Sequence, residues 1–205
     1  MDDLLLEEWS EACVLMEAAL SSPDPVAYFE TRARWRRVEQ TVLEVLGETG
    51  VLGLVNDEEP YVRALAARAP NVPADSLERL GADPALIVRL AVASNPATPS
   101  SVLAALYRDG LWQMRVELAG NPASPPWMIR SLASDQAPRV RAAVAGNPAP
   151  SEFLVSKLAN DSDWYVRAAL ASNKSVSRFM LKELADDTDL RVATAARRSL
   201  QAAAF

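Results

Sequence analysis

Asn95-Pro96-Ala97-Thr98-Pro99-Ser100-Ser101-Val102-Leu103-Ala104-Ala105-Leu106-Tyr107-Arg108-Asp109-Gly110-Leu111-Trp112-Gln113-Met114-Arg115-Val116-Glu117-Leu118-Ala119-Gly120 is one complete 26-residue period, and Asn121-Pro122 opens the next. The interval recurs through most of the chain. Arg63, Arg89, Arg115, Arg141 and Arg167 keep it, as do Asp57, Asp83, Asp109, Asp135, Asp161 and Asp187. Leu54, Leu80, Leu106, Leu132, Leu158 and Leu184 form a third series, and Ala67, Ala93, Ala119, Ala145 and Ala171 a fourth. Self-similarity at a fixed period of this size is the mark of a solenoid, whose units bury their apolar faces against one another.

Each period reads as two short helices. Pro73, Pro99 and Pro125 suit a first helical turn, where the missing N–H has no partner to lose, with Thr98 and Ser124 ahead of two of them as N-caps. Apolar pairs at helical spacing follow: Leu77 and Leu80, Leu103 and Leu106, Ile129 and Leu132, Val155 and Leu158, Leu181 and Leu184. The second helix opens after the repeated aspartate with Val62-Arg63, Val88-Arg89, Val140-Arg141 or Val166-Arg167, then runs into alanines that permit close layers. Asn-Pro at 95, 121 and 147 is expected to end it, with Asn in the left-handed region and Pro unable to continue. Two helices in 26 residues leave two to three turns each, so one member is expected to be 3₁₀ in part.

Composition narrows the function. The chain of 205 residues is 50% hydrophobic and 23% charged, ordinary for a globular protein. It contains no histidine, which removes the commonest general base, proton switch and metal ligand and rules out a Ser-His-Asp or Cys-His site within it. Cys13 stands alone, so no disulfide framework or cysteine metal cluster is expected, and no cofactor. The acidic N-terminus and the lack of a long apolar run point away from a signal peptide and a membrane span, toward a cytoplasmic protein. Residues 1–50 carry 11 acidic and 4 basic side chains, a net of −7; the rest carry 16 and 17, a net of +1, giving the total of −6. A neutral repeat body disfavours nucleic acid as partner.

These residues resemble the leucine-rich repeat variant family, marked by an Asp, a short gap, Val-Arg-x-Ala-x-x-Ala, then Asn-Pro and a Leu-x-x-Leu helix. The match runs from Asp135 through Val140-Arg141-Ala142-Ala143-Val144-Ala145 to Asn147-Pro148, then Val155 and Leu158, and the likeness covers about residues 51–198. The resemblance implies a wholly helical, HEAT-like, right-handed superhelix of about five to six repeats with alternating α and 3₁₀ helices. It implies a binding scaffold and no activity. Some relatives carry a cysteine-ligated iron–sulfur module, for which the lone Cys13 of this chain does not supply the ligands.

The ends depart from the pattern. Lys174 follows Asn173 where Pro stands elsewhere, and the interval from Arg167 lands on Ala193, with Arg191 two residues early. Terminal units of a stack are expected to differ because they cap it. Residues 1–50 read as a helical hairpin cap and 51–205 as the solenoid. Leu5, Leu6, Trp9, Cys13, Met16 and Leu20 form one expected apolar face, Ser21 to Pro25 the turn, and Phe29, Ala33, Val38, Val42, Val45 and Leu46 the second face before Gly47. The basic cluster Arg32, Arg34, Arg36 and Arg37 reads as a solvated face.

Stacking turns equivalent residues into columns. Arg89, Arg115, Arg141 and Arg167 could grip phosphates or an acidic peptide. The structural alternative pairs them, within or between layers, with the aspartate column Asp83, Asp109, Asp135 and Asp161, because a cation near a helix N-terminus needs compensation. Arg141 and Arg167 have the neighbours Arg139 and Tyr165. Trp112 and Trp164, three residues before an arginine, suit either a partner-binding groove or filling between repeats, and Trp127 reads as core. With no glycine-rich phosphate loop and no converging titratable groups, the expectation is a non-enzymatic scaffold. Its inner curve would bind a protein or peptide; the alternative is nucleic-acid backbone held by the arginine column.

Overall fold

A computed structural model describes residues 3–21, 25–148 and 150–202. Among them the chain is all-helical, and it divides into two compact units, residues 1–92 and 93–205. In the first, α1 (Asp3–Ser21) and α2 (Pro25–Leu52) form an antiparallel-type hairpin, followed by α3 (Pro60–Arg68) and α4 (Ala74–Leu80). Helix α5 (Leu86–Ser94) runs through the division.

The hairpin's packing differs from the expected faces. On α1 the buried side chains are Ala12, Met16 and Ala19, while Trp9, Cys13 and Leu20 are half-buried. On α2 they are Tyr28, Trp35, Glu39 and Val42; Ala33 and Val45 are exposed, and the helix continues past Gly47 to Leu52. The side chains of Leu5, Leu6, Phe29 and Leu46, and the turn at 22–24, lie outside the described residues. Trp35 is the centre. Its ring lies 4.5 Å from Trp9 and 5.4 Å from Tyr61 on α3, so one large side chain joins three helices. Val42 packs with Leu65, and Arg68 reaches Glu39 at 2.9 Å, a pair close enough to attract but misaligned for a hydrogen bond.

The second unit is a run of helix pairs: α6 (Ser100–Leu106) with α7 (Trp112–Gly120), α8 (Pro126–Leu132) with α9 (Pro138–Ala145), α10 (Glu152–Ala159) with α11 (Trp164–Ala171), and α12 (Arg178–Leu184) with α13 (Leu190–Ala202). The second helices pack in chain order, α7 on α9, α9 on α11 and α11 on α13. Ala119, Ala145, Ala171 and Ala196 lie fully buried in that layer beside Met114, Val140, Val166 and Val192, because a methyl group lets helix backbones approach. First helices contribute Leu103 and Leu106, Met128 and Leu132, Leu154 and Leu158, Leu181 and Leu184. Each fully buried leucine stabilises by roughly 1.5–3 kcal/mol. In α10 it is Leu154 that is buried and Val155 that is only half-buried.

Three local expectations are corrected. Both helices of each pair are α-helical; 3₁₀ geometry occurs among the described residues only at Gly53–Asn56 and Tyr107–Asp109. Pro73, Pro99 and Pro125 are N-caps, at φ near −57° and ψ near 143°, not first-turn residues. Thr98 and Ser124 are therefore not caps; both are buried, and Ser124 Oγ donates to the Leu118 carbonyl at 2.6 Å. Where serine replaces proline, at Ser151 and Ser177, the hydroxyl caps by accepting from Leu154 N–H and Met180 N–H. No described non-glycine residue has positive φ, so the asparagines are not left-handed; Asn121 is extended at φ −78°, ψ 123°.

Candidate functional site

The arginine column is tied into the stack. Arg63, Arg115, Arg141 and Arg167 each present Nε and Nη2 to both carboxylate oxygens of the aspartate 20 residues on: Asp83, Asp135, Asp161 and Asp187. The Nε–Oδ2 distance is 2.7 Å in all four. The remaining Nη1 turns back. In Arg63, Arg141 and Arg167 it donates to the carbonyl of the aspartate six residues earlier, and in Arg115 to Gly110. Arg89 Nη1 makes the same turn, to Asp83 O at 2.8 Å and Pro84 O at 2.9 Å. The guanidinium groups of Arg63, Arg115, Arg141 and Arg167 thus each span the loop of their own repeat and the carboxylate of the next. Two parallel N–H···O bonds are the strongest geometry available to this pair.

The aspartates are also loop residues. Asp83, Asp135, Asp161 and Asp187 accept through Oδ1 from the N–H two residues on, forming Asx-turns that lead into the second helix. Burial pushes the Asp83 and Asp161 carboxyls up. The hydrogen bonds from Arg63 and Arg141, the Ala85 and Asp163 N–H groups and the flanking arginine charges together outweigh it, so both are held below the usual carboxylate range. For Asp187 the Arg167 hydrogen bond is the largest influence and the direction is the same.

A second column sequence reasoning took for helix stops is a chain of side-chain staples. Asn121 Nδ2 donates to Ala93 O at 2.7 Å and Asn95 O at 2.9 Å, 28 and 26 residues back. Asn147 repeats this on Ala119 and Asn121, and Asn173 on Ala145 and Asn147. Asn95, Asn121 and Asn173 also accept through Oδ1 from the N–H two residues on. In the last pair Ser199 stands at the next interval, and its hydroxyl donates to Ala171 O at 2.7 Å, 28 residues back.

The aromatic candidates divide. Trp164 is half-buried, edge-on to Tyr165, and covered by the Arg191 guanidinium 3.4 Å from its ring centre, while Trp112 is half-buried on α7. Arg191 also holds Asp189, whose carboxyl is drawn down to about 2, chiefly by that hydrogen bond. Tyr165 is exposed. Trp127, expected in the core, is 53% exposed, and Phe153 and Phe179 are 65% and 69% exposed. These three are 26 residues apart, each at the second position of its helix, α8, α10 or α12. The signal was in the period itself: the same column reads Asp75 and Ser101 in earlier repeats, residues that belong in water. Between α8 and α10 lies a groove of about 600 Å³ with Pro126, Ile129 and Leu154 in its walls and Phe153 and Arg130 beside them.

In the basic cluster Arg34 pairs with Glu11 at 2.8 Å, and Arg36 and Arg37 are exposed. The Cys13 thiol is pushed up to about 12, first by burial and further by the charges of Glu39 and Glu59. Among the described residues no group of His, Cys, Asp or Glu is placed to hold a metal ion, and no helix is long and apolar enough to cross a membrane. No protein-family model matches the chain, and no curated protein matches it. A designed armadillo repeat protein aligns with it at 16% identity over 91% of this chain and 98% of that one, with a TM-score of 0.26. That superposition is too loose to carry fold or function; the helix pairs and their ties define an all-helical repeat protein on their own.

Proposed function

We propose that this chain is a non-enzymatic scaffold that binds other proteins through the exposed surface of its repeats, with the arginine column serving the stack. One observation carries the reading: the repeating polar side chains are spent on neighbouring repeats, while large aromatic side chains at a fixed interval face water. Four guanidinium forks are filled by carboxylates and carbonyls, which removes the support for gripping a phosphate backbone. Exposed aromatics rimmed by cations are the composition that dominates protein interfaces.

Two finer points belong to the same proposal. Kinship with the leucine-rich repeat variant family is supported by the Asp–Val-Arg–Asn-Pro order, in which Asp, Val, Arg and Asn each have a structural task here. The hairpin of residues 1–50 acts as the cap of the repeats, supported by the Trp35–Tyr61 and Arg68–Glu39 contacts inside the first unit. The test is Arg115→Glu with Arg141→Glu, measured for thermal stability and for binding to peptides selected on the wild-type chain. The expected result is a large fall in melting temperature. A stable variant that has lost its peptides would return the column to a ligand role and reject this reading.

A further inference from the structure

We propose that the first-helix face of residues 93–205 binds an extended, acidic segment of a partner protein, seating an apolar side chain of every third residue against Trp127, Phe153 and Phe179. The proposal rests on the protein-binding reading above and gives it a surface and a partner chemistry.

Single exposed apolar residues are ordinary, but three large aromatics in successive repeats at one position form a continuous feature. Each has a cation one helical turn away on its own helix: Arg130 three residues after Trp127, Lys157 four after Phe153, Lys182 three after Phe179. Arg130, Arg178 and Lys182 enter no ion pair among the described residues, and Lys157 Nζ donates to Ser134 Oγ. Across α6, α8, α10 and α12 the cations are Arg130, Lys157, Arg178 and Lys182 and the anions Glu152 and Glu183. Four minus two leaves +2 on this face of a chain whose total is −6. The complement is a segment carrying carboxylates.

Geometry selects the extended form. The second helices of successive repeats pack on one another, and at the ordinary spacing of about 8–10 Å between packed helices equivalent positions recur along the stack at about that interval. A polyproline II strand rises about 3.1 Å per residue, about 9.3 Å per three-residue turn, and matches that interval without adjustment. One apolar side chain per turn then meets one aromatic per repeat, and the residues between present their carboxylates to the cations. The groove beside Phe153, at about 600 Å³, has room for such a side chain between Pro126, Ile129 and Leu154, with Arg130 beside it. Aromatic-lined grooves are the usual seat of this backbone form. Single-stranded nucleic acid also stacks on aromatics, but a phosphate on every nucleotide would have to pass Glu152 and Glu183, whereas a segment with one carboxylate per turn can set its charges opposite the cations.

The test is fluorescence anisotropy with the full chain and four labelled probes. They are a peptide of four Leu-Asp-Pro triplets, the same peptide with Lys for Asp, a peptide of identical composition with its leucines adjacent, and a 12-nucleotide uridine RNA. The acidic triplet peptide should bind at least tenfold more tightly than the other three. Phe153→Ser and Phe179→Ser, at exposed positions, should each weaken it about tenfold with an unchanged circular dichroism spectrum. Arg130→Glu with Lys182→Glu should weaken it and flatten its salt dependence. No binding of the triplet peptide, equal binding of the lysine or clustered peptide, preference for the RNA, or indifference to Phe153→Ser overturns the proposal. A displayed peptide library separates the two levels. Selected peptides that bind Phe153→Ser as well as wild type reject this surface and leave the scaffold standing, whereas a library that yields no specific binder rejects the scaffold as well.

Discussion

Replacing Asn121 by alanine is expected to destabilise the repeats far more than so small a change in side-chain volume suggests. The amide is 2% exposed and makes three hydrogen bonds: Nδ2 to the carbonyls of Ala93 and Asn95, and Oδ1 from the Ala123 N–H at 2.8 Å. At about 1 kcal/mol net for each neutral bond, the loss is about 3 kcal/mol. The Asn95 carbonyl keeps the Thr98 N–H at 3.1 Å, but Ala93 loses the donor that Asn121 supplied. Against a typical total of about 5–15 kcal/mol, that is a large share, equivalent to a fall in melting temperature of about 6–12 °C for a chain of this size. Asn121→Asp keeps the acceptor but turns a carboxylate toward two carbonyl oxygens, so at pH 7 it should cost more than alanine and recover as acid protonates it. Asn160→Ala is the control, because Asn160 is exposed and makes one bond, to Ser156 O at 2.9 Å; its cost should stay below about 0.5 kcal/mol. Urea unfolding followed by far-ultraviolet circular dichroism reads all three. A change below about 0.5 kcal/mol for Asn121→Ala, or parity with Asn160→Ala, refutes the staple as a source of stability.

Three further outcomes are expected. Arg141→Lys should cost about 1–2 kcal/mol in the same assay, because an ammonium cannot reproduce the two-point bond to Asp161 while reaching the Asp135 carbonyl. Asp83, Asp161 and Asp187 have folded-state values below the ordinary 3.8, so the folded state binds fewer protons than the unfolded one near that pH; their contribution is complete well above it and is lost as pH falls from about 4 downward. Thermal melts should accordingly be flat from pH 7 to 5 and drop below about 4, with Asp161→Asn starting lower and falling less steeply. Cys13, with its thiol near 12 against an ordinary 9, holds about 1,000-fold less thiolate than an exposed cysteine, so a thiol-disulfide reagent at pH 8 should modify the native chain at least about 100-fold more slowly than the urea-unfolded one.

The period made the helix pairs, their apolar columns and the Arg and Asp series legible, because stacked units must repeat whatever they use to contact one another. It could not give the direction of a side chain. Asp135 lies six residues before Arg141, yet the carboxylate that Arg141 holds is Asp161, 20 residues after it, and Asp135 gives that arginine only its carbonyl. Asn-Pro suggested a left-handed stop, but carbonyls from the preceding repeat come within reach of the amide and hold Asn121 extended. Trp127 reads as core because it lies on a first helix, but Met128, Ile129 and Leu132 already fill the inward face of that seven-residue helix and turn the indole outward. In the hairpin there is no period to consult. There, spacing pointed to Val42, which is buried, but also to Ala33 and Val45, which are exposed; the rest of the buried face is Tyr28, Trp35 and Glu39, where a carboxylate is kept inside by Arg68.

The 20-residue reach from arginine to aspartate gives the repeats a polarity: Arg63, Arg115, Arg141 and Arg167 extend a guanidinium forward, and the aspartates they meet present a carboxylate backward. A tandem gain or loss of one 26-residue segment between Asp109 and Asp187 would therefore bring matched ends to its new neighbours, wherever in the period the crossover fell. Copy number in such a chain can change by unequal recombination without any compensating substitution. At the interval after Arg167, Ala193 stands in the arginine's place, and that pair lacks the forward arm.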